Sequence, residues 1–288
     1  MKRVFITGAK GQLGQALYTQ LKDAANDELY LTSRHASDDT VKILDITDAA
    51  AVEAAITEFR PDIIINPAAM TAVDLCETEQ EKAYSINALG PKHLAKAASR
   101  IGAKLIHIST DYIYDGQAGA PYTEGALPNP INVYGRTKLA GDTYVAKYCP
   151  NSLILHTSGL YGEGKNFVRT MLRLADEGKK IRVVSDQICT PTSAAELARA
   201  IIFLMETDGC GKYHATCEGS TSWHEFASAV FELAGKAVEV EAISTREYPT
   251  PAKRPMYSVL ENKKLKDDYG YYMKEWKEAL KEYMCDIK

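Results

Sequence analysis

The 288-residue chain has no run of roughly 18 uninterrupted apolar residues, the length a membrane-spanning helix needs. Its start, Met1-Lys-Arg-Val-Phe-Ile, also lacks the apolar stretch of about 7–15 residues found in a secretory leader; it runs straight into a strand and a glycine loop. There is no basic excess. The formal net charge is -4, so no global field gathers nucleic acid or anionic membrane, and an anionic ligand must be held by local donors. The six cysteines (Cys76, Cys149, Cys189, Cys210, Cys217, Cys285) form no C-x-x-C pair and are expected to be reduced thiols. No Gly/Ser linker, low-complexity tract or internal repeat interrupts the chain. Together these absences predict a cytoplasmic protein without nucleic-acid or membrane partners. What is present is an ordinary globular composition, 45% apolar and 25% charged, with length for one or two lobes.

Short β-branched runs alternate with helical patterns through the first half. Strands are predicted at Arg3–Thr7, Leu29–Thr32, Val41–Leu44, Asp62–Asn66, Lys104–Ser109 and Ser152–Thr157, with helices such as Gln12–Ala24 and Asp48–Phe59 between them. Alternation of this kind implies a doubly wound parallel α/β sheet of Rossmann type. Thr78 with Glu81, Ser193 with Glu196, and Ser222 with Glu225 fit the S/T-x-x-E capping box, and Gly102 and Gly235 stand where helices stop. Pro91, inside the pattern Ala83–Ile101, requires a kink or a late start. After about residue 158 the alternation becomes irregular. The expected division is a dinucleotide-binding domain over 1–158 and a smaller, mainly substrate-binding α/β lobe over 159–288, with a soft boundary and interleaved lobes. In that lobe Trp276 and Leu280 share a helical face expected to pack inward.

Gly8, Gly11 and Gly14, in Gly8-Ala-Lys-Gly11-Gln-Leu-Gly14, follow the first strand and open a helix. Glycines there permit a tight turn and close approach of backbone to phosphate, and the helix start near Gln12 offers free N–H groups to a pyrophosphate. The second strand ends in Thr32-Ser-Arg-His35, where Arg34 is either an acceptor site for a 2′-phosphate or a solvated arginine. Asp45 ends the third strand, placed to accept from an adenine amino group. The small Ala68 and Ala69, after the fourth, let a cofactor lie across the strand ends.

Tyr134 and Lys138, four apart, share a helix face beside the cofactor, where the Lys138 ammonium is expected both to hold the nicotinamide ribose and to lower the phenol's pKa. Thr110 ends the fifth strand, placed to donate to a substrate carbonyl while Tyr134 delivers a proton. With a glycine loop, this reads as an oxidoreductase using NADPH or NADH. His107 reads as a packed strand residue, and His214 and His224 lack a third ligand for a metal. Asn166 is expected to start a helix facing the substrate. Lys253-Arg254-Pro255 is the local candidate for a diphosphate, as against a charged turn.

The stretches Asn66-Pro-Ala-Ala-Met-Thr-Ala-Val-Asp74, Ile108-Ser-Thr-Asp-Tyr112, Asn132-Val-Tyr-Gly-Arg-Thr-Lys-Leu-Ala-Gly141, Asp186-Gln187 and Arg254-Pro255 resemble the extended short-chain dehydrogenase/reductases that act on nucleotide sugars. The resemblance covers essentially the whole chain. It implies a catalytic set of Thr110, Tyr134 and Lys138, with Thr110 and Asp111 near the sugar. It implies cofactor contacts at Gly11, Gln12, Leu13, Asp45, Ile46 and through Ala69 to Thr71. The implied reaction is reduction of the 4-keto group of a dTDP-linked 4-keto-6-deoxyhexose. Members often carry a tryptophan where Gly159 stands in Thr157-Ser-Gly-Leu-Tyr161, with Tyr161 the aromatic that could replace it. Some dimerise through magnesium-binding carboxylates. Gln15 stands where one such glutamate is expected, so no metal is predicted and a homodimer stays open. A related dehydratase or epimerase is the rival reaction, although Thr110-Asp111-Tyr112 lacks the glutamate of the dehydratase pattern. A regulatory subunit of methionine adenosyltransferase type is the non-catalytic rival.

Overall fold

The computed structural model describes residues 1–22, 27–35 and 40–287. Through residue 157 the strands are β1 (Arg3–Ile6), β2 (Glu28–Ser33), β3 (Val41–Ile43), β4 (Ile63–Asn66), β5 (Lys104–Thr110) and β6 (Ser152–Thr157). Between them run α1 (Gln12–Leu21), α2 (Ala49–Phe59), α3 (Val73–Thr78), α4 (Gln80–Tyr84), α5 (Gly90–Ile101) and α6 (Val133–Tyr148). Beyond lie the strands β7 (Leu160–Tyr161), β8 (Ile181–Val184), β9 (Ile188–Cys189), β10 (Thr192–Ser193), β11 (Gly211–His214), β12 (Thr221–Ser222) and β13 (Val240–Ile243). The later helices are α7 (Phe167–Asp176), α8 (Ala194–Met205), α9 (Trp223–Ala234), α10 (Lys263–Tyr269) and α11 (Trp276–Asp286).

Seven strands form one sheet in the order β11-β6-β5-β4-β1-β2-β3, every neighbouring pair parallel. The chain winds outward from β1 to β3, returns to β4 on the other side of β1, and winds outward again. That reversal opens a crevice at the carboxyl ends of β1 and β4, the place where such sheets bind ligands. Alternating side chains supply both faces. Val4 and Ile6 pack with Leu13 and Leu17 of α1 and Leu197 and Ile201 of α8, while Phe5 and Ile64 pack with Ile56 of α2 and Leu94 of α5. A third cluster, outside the sheet, joins Phe226 of α9 to Trp276 and Leu280 of α11.

Several expectations shift in detail. The last residues of the helix expected through Ala24 lie outside the described residues. Ser222 and Glu225 form a full capping box, but Ser193 forms half of one, because the Glu196 carboxylate turns to Lys274 N (2.9 Å) and Arg199 Nε (2.8 Å). Thr78 caps nothing. Its hydroxyl donates back to Leu75 O (3.1 Å) and the next helix begins at Gln80. Pro91 is accommodated by a late start: a π-helical turn over Ser85–Leu89 precedes α5 and leaves Pro91 in its first turn. Gly102 and Gly235 close their helices in the left-handed conformation as expected. Strand β11 was not expected, since Gly-Lys-Tyr-His has no β-branched residue; pairing with β6 makes it a strand. All six cysteines are free thiols, and among the described residues no helix is long and apolar enough to cross a membrane.

Candidate active site

The crevice is a cleft of about 690 Å³. At one end its wall is backbone. Gly8 has φ +55°, and a Cβ there would sit 2.9 Å from Ala68 Cα; at Gly14 a Cβ would sit 2.4 Å from Gly8 O. The α1 N-terminus, capped by Gly11 without a side-chain hydrogen bond, has no acidic residue in its first turn. Its first N–H groups therefore stay available to an anion, and Gln12 Oε1 is buried with no hydrogen-bond partner. Leu13 and Arg34 line the same end, Arg34 donating to His35 Nε2 (3.2 Å). Asp45 accepts from Thr47 N (2.9 Å) and Oγ1 (2.8 Å), with Ile46 beside it. Ala68, Ala69 and Thr71 cross the strand ends. Asn87, in the π turn, holds that segment by accepting from Met70 N (2.8 Å) and donating to Met70 O (3.1 Å). The π turn that precedes Pro91 thus braces Met70 at the cleft wall. These cradles and free donors fit a dinucleotide pyrophosphate.

At the other end the wall is side chains. Asn132 caps α6 by accepting from Gly135 N (2.8 Å), which places Tyr134 in the first helical turn. A Cβ at Gly135 would sit 2.1 Å from Tyr112 O, so α6 lies directly on the turn after β5. Thr110, Asp111, Tyr134 and Lys138 line the cleft together. Thr110 Oγ1 accepts from Tyr112 N (3.2 Å) and donates to Asp111 Oδ1 (3.0 Å), while Asp111 Oδ2 accepts from Ser158 Oγ (2.8 Å). Burial raises the Asp111 pKa, partly offset by hydrogen bonds from Ser258, Ser158 and Thr110. Tyr134 meets Tyr112 edge to face, ring centroids 5.9 Å apart.

One electrostatic expectation is reversed. Burial pushes the Tyr134 phenol above its ordinary value, the Thr110 hydrogen bond offsets only part of this, and the Asp111 charge adds to the rise. Lys138 is not among the largest influences on the resting phenol: its Nζ donates to Ile108 O (2.7 Å), and burial brings the ammonium itself down to about 8. A phenol held protonated is nevertheless the form required of a proton donor.

Of the expected site residues, Asn166 and Arg254 do not line the cleft. Asn166 does start α7, but its side chain is committed. Oδ1 accepts from Arg169 N (3.0 Å), and Nδ2 donates to Gly162 O, Gly164 O and Tyr283 Oη. In this structure it serves as the cap of α7. Arg254 donates to Asp74 Oδ2 (2.9 Å), with Nη1 buried and unpartnered. Tyr161 cannot stand in for a cleft tryptophan, being 1% exposed and packed against Phe226 and Tyr283. Gly159 does line the cleft, at φ +55°, where any side chain would be strained. Ser158, Glu163 and Lys165 also reach the wall and were not anticipated. Glu163 and Lys165 lie in and beside a glycine turn, Gly162–Gly164, and Ser158 precedes Gly159.

Comparison with known proteins gives consistent matches. The RmlD substrate binding domain matches residues 1–288. The spore coat polysaccharide biosynthesis protein SpsK of Bacillus subtilis (strain 168) is 40% identical over 285 residues, 99% of this chain and 97% of that protein. The crystal structure of a dTDP-4-dehydrorhamnose reductase, an RfbD ortholog from Clostridium acetobutylicum, superposes with TM-score 0.94 at 44% identity, covering 99% of both chains. That of the dTDP-4-dehydrorhamnose reductase of Bacillus anthracis str. Ames, in complex with NADP, has TM-score 0.94 at 40% identity over 99% of both.

Proposed function

The chain belongs to the RmlD substrate binding domain family, and from that premise we propose that it reduces dTDP-4-dehydro-L-rhamnose to dTDP-L-rhamnose with NADPH or NADH. The observation that carries the reading is the meeting of Tyr134, Lys138 and Thr110 with the glycine cradle in one cleft. The reduced nicotinamide supplies the hydride that the 4-keto carbon accepts. Tyr134, kept protonated by burial, gives its proton to the oxygen as charge develops there. Thr110 turns its hydroxyl from Asp111 to that oxygen, and Asp111 accepts from the sugar. The Lys138 ammonium stabilises the tyrosinate left behind.

Gly8, Gly11, Gln12, Leu13 and Gly14 hold the pyrophosphate, Asp45 and Ile46 the adenine, and Ala68, Ala69 and Thr71 the nicotinamide half. Arg34 is assigned to a 2′-phosphate, which favours NADPH, and the free Arg254 Nη1 to the substrate diphosphate. Residues after 158 supply mainly the substrate-binding lobe, interleaved with α8 and β11, which belong to the dinucleotide-binding sheet. The protein works in the cytoplasm on a soluble nucleotide sugar, and a homodimer is consistent with the family. The test follows absorbance of the reduced nicotinamide with freshly generated dTDP-4-keto-6-deoxy sugar, with and without a 3,5-epimerase, comparing NADPH with NADH. Oxidation that requires the epimerase is the expected result. No oxidation in either arm, with cofactor still bound, overturns the reading.

A further inference from the structure

Tyr134, Lys138 and Asp142 are spaced by four and share the face of α6 turned toward the sheet. Lys138 is 2% exposed and Asp142 6%. Asp142 does not line the cleft, so it is placed to touch neither sugar nor cofactor. It is instead surrounded by donors. Oδ2 accepts from Ser109 Oγ (2.8 Å) and His156 Nε2 (2.9 Å), and Oδ1 faces His107 Nε2 at 3.5 Å.

The hydrogen-bond network assigns the proton on His107. Thr7 donates to Asn66 Oδ1 (2.6 Å), so Asn66 Nδ2 donates to His107 Nδ1 (3.0 Å), and the ring proton sits on Nε2, toward Asp142. The other titratable groups facing this pair are Tyr134 on α6, His156 on β6, His214 on β11 and Tyr114 after β5. His156 and His214 meet edge to face at 5.6 Å, and Tyr114 Oη lies 3.0 Å from His214 Nε2. Burial keeps His107 and His214 neutral, with midpoints down to about 4 and about 3. For Asp142, burial pushes the carboxyl up, but the nearby His107 ring and the His156 hydrogen bond outweigh it and hold the carboxylate well below its usual range. Behind the cleft, then, stand a hydrogen-bonded anion and an ammonium one helical turn away.

Building on the reading of Lys138 as part of the catalytic set, we propose that Asp142 is a positioning residue: Ser109, His107 and His156 fix it as an anion, and it is the counter-charge that keeps Lys138 an ammonium in the working site. A buried ammonium without such a partner loses its proton rather than remain charged. Ser109 immediately precedes Thr110 on β5, so the same hydrogen bond ties the strand end carrying Thr110 to the helix carrying Tyr134.

The test is a pH titration of ¹³Cε-labelled lysines in the cofactor-free protein by NMR, with the Lys138 resonance identified by its loss in Lys138→Arg. In Asp142→Asn the Lys138 midpoint is expected to move acidward by about one pH unit or more. Asp142→Glu, which keeps the charge, should return most of that shift. The alkaline limb of kcat/KM against pH should move with the midpoint, because removing the anion lets the ammonium deprotonate at lower pH. A packing defect alone would lower activity equally at every pH. An unmoved midpoint in Asp142→Asn, or in Asp142→Ser should the amide variant not fold, overturns the proposal. Because the titration needs no substrate, a moved midpoint without sugar-dependent oxidation would sink the reductase reading and leave the role of Asp142 standing.

Discussion

At the glycine end of the cleft the wall consists of backbone and of absent side chains: Gly8 and Gly14 clear space, and α1 presents unpaired N–H groups. At the Tyr134 end the wall consists of buried polar side chains, Thr110, Asp111 and Lys138, each already hydrogen-bonded within the protein. A pyrophosphate is large, permanently charged and tolerant of small displacements, so main-chain donors at a helix start suffice for it. Proton transfer needs particular atoms within hydrogen-bond reach and particular protonation states, which only desolvated side chains can set. Damage at the first end should therefore appear in binding, and damage at the second in turnover.

The sharpest test of that contrast is Tyr134→Phe. Turnover should fall by about 10²–10⁴ while cofactor affinity, read by fluorescence titration, stays near wild type. Wild-type turnover in this variant would remove Tyr134 as the proton donor. Next is Gly14→Ala, whose methyl has no room beside Gly8 O. It should cost about 1–3 kcal/mol of stability by denaturant melts. It should also weaken cofactor binding far more than it slows turnover at saturating cofactor. Arg34→Ala should raise the KM for NADPH by about tenfold, roughly 1.4 kcal/mol, and leave that for NADH unchanged. Equal effects on both cofactors would break the 2′-phosphate assignment. The smallest effect belongs to Asn166→Ala, which loses the α7 cap: about 1 kcal/mol by thermal melt, with kcat near wild type. A selective rise in the KM for the sugar would place Asn166 in the substrate set.

Legibility followed the same division. The glycine spacing, the strand ends and the Tyr134–Lys138 pair could be read from the chain because each is a local pattern tied to one turn or one helix face. The cap role of Asn166 was not legible, because an asparagine before a helix reads the same whether it serves ligand or cap; its filled hydrogen-bond capacity appears only in the structure. Tyr161 was misplaced because its local sequence does not reveal that β7 buries it against α9 and α11. Asp142 was legible in principle as the next position on the Tyr134–Lys138 face. Its partners, however, come from strands at residues 107, 109 and 156, which no local pattern joins.

The amino-acid order by itself determined the alternation of strand and helix, the glycine cradle and the helix face that carries Tyr134, since these depend on periodicity and on which residues tolerate a tight turn. The tertiary structure decided the protonation of that face and which polar residues meet the ligand. Desolvation, which raises Tyr134, lowers Lys138 and is outweighed at Asp142 by two histidines, depends on what surrounds a group from every side, and that exists only once the sheet and helices have closed around it.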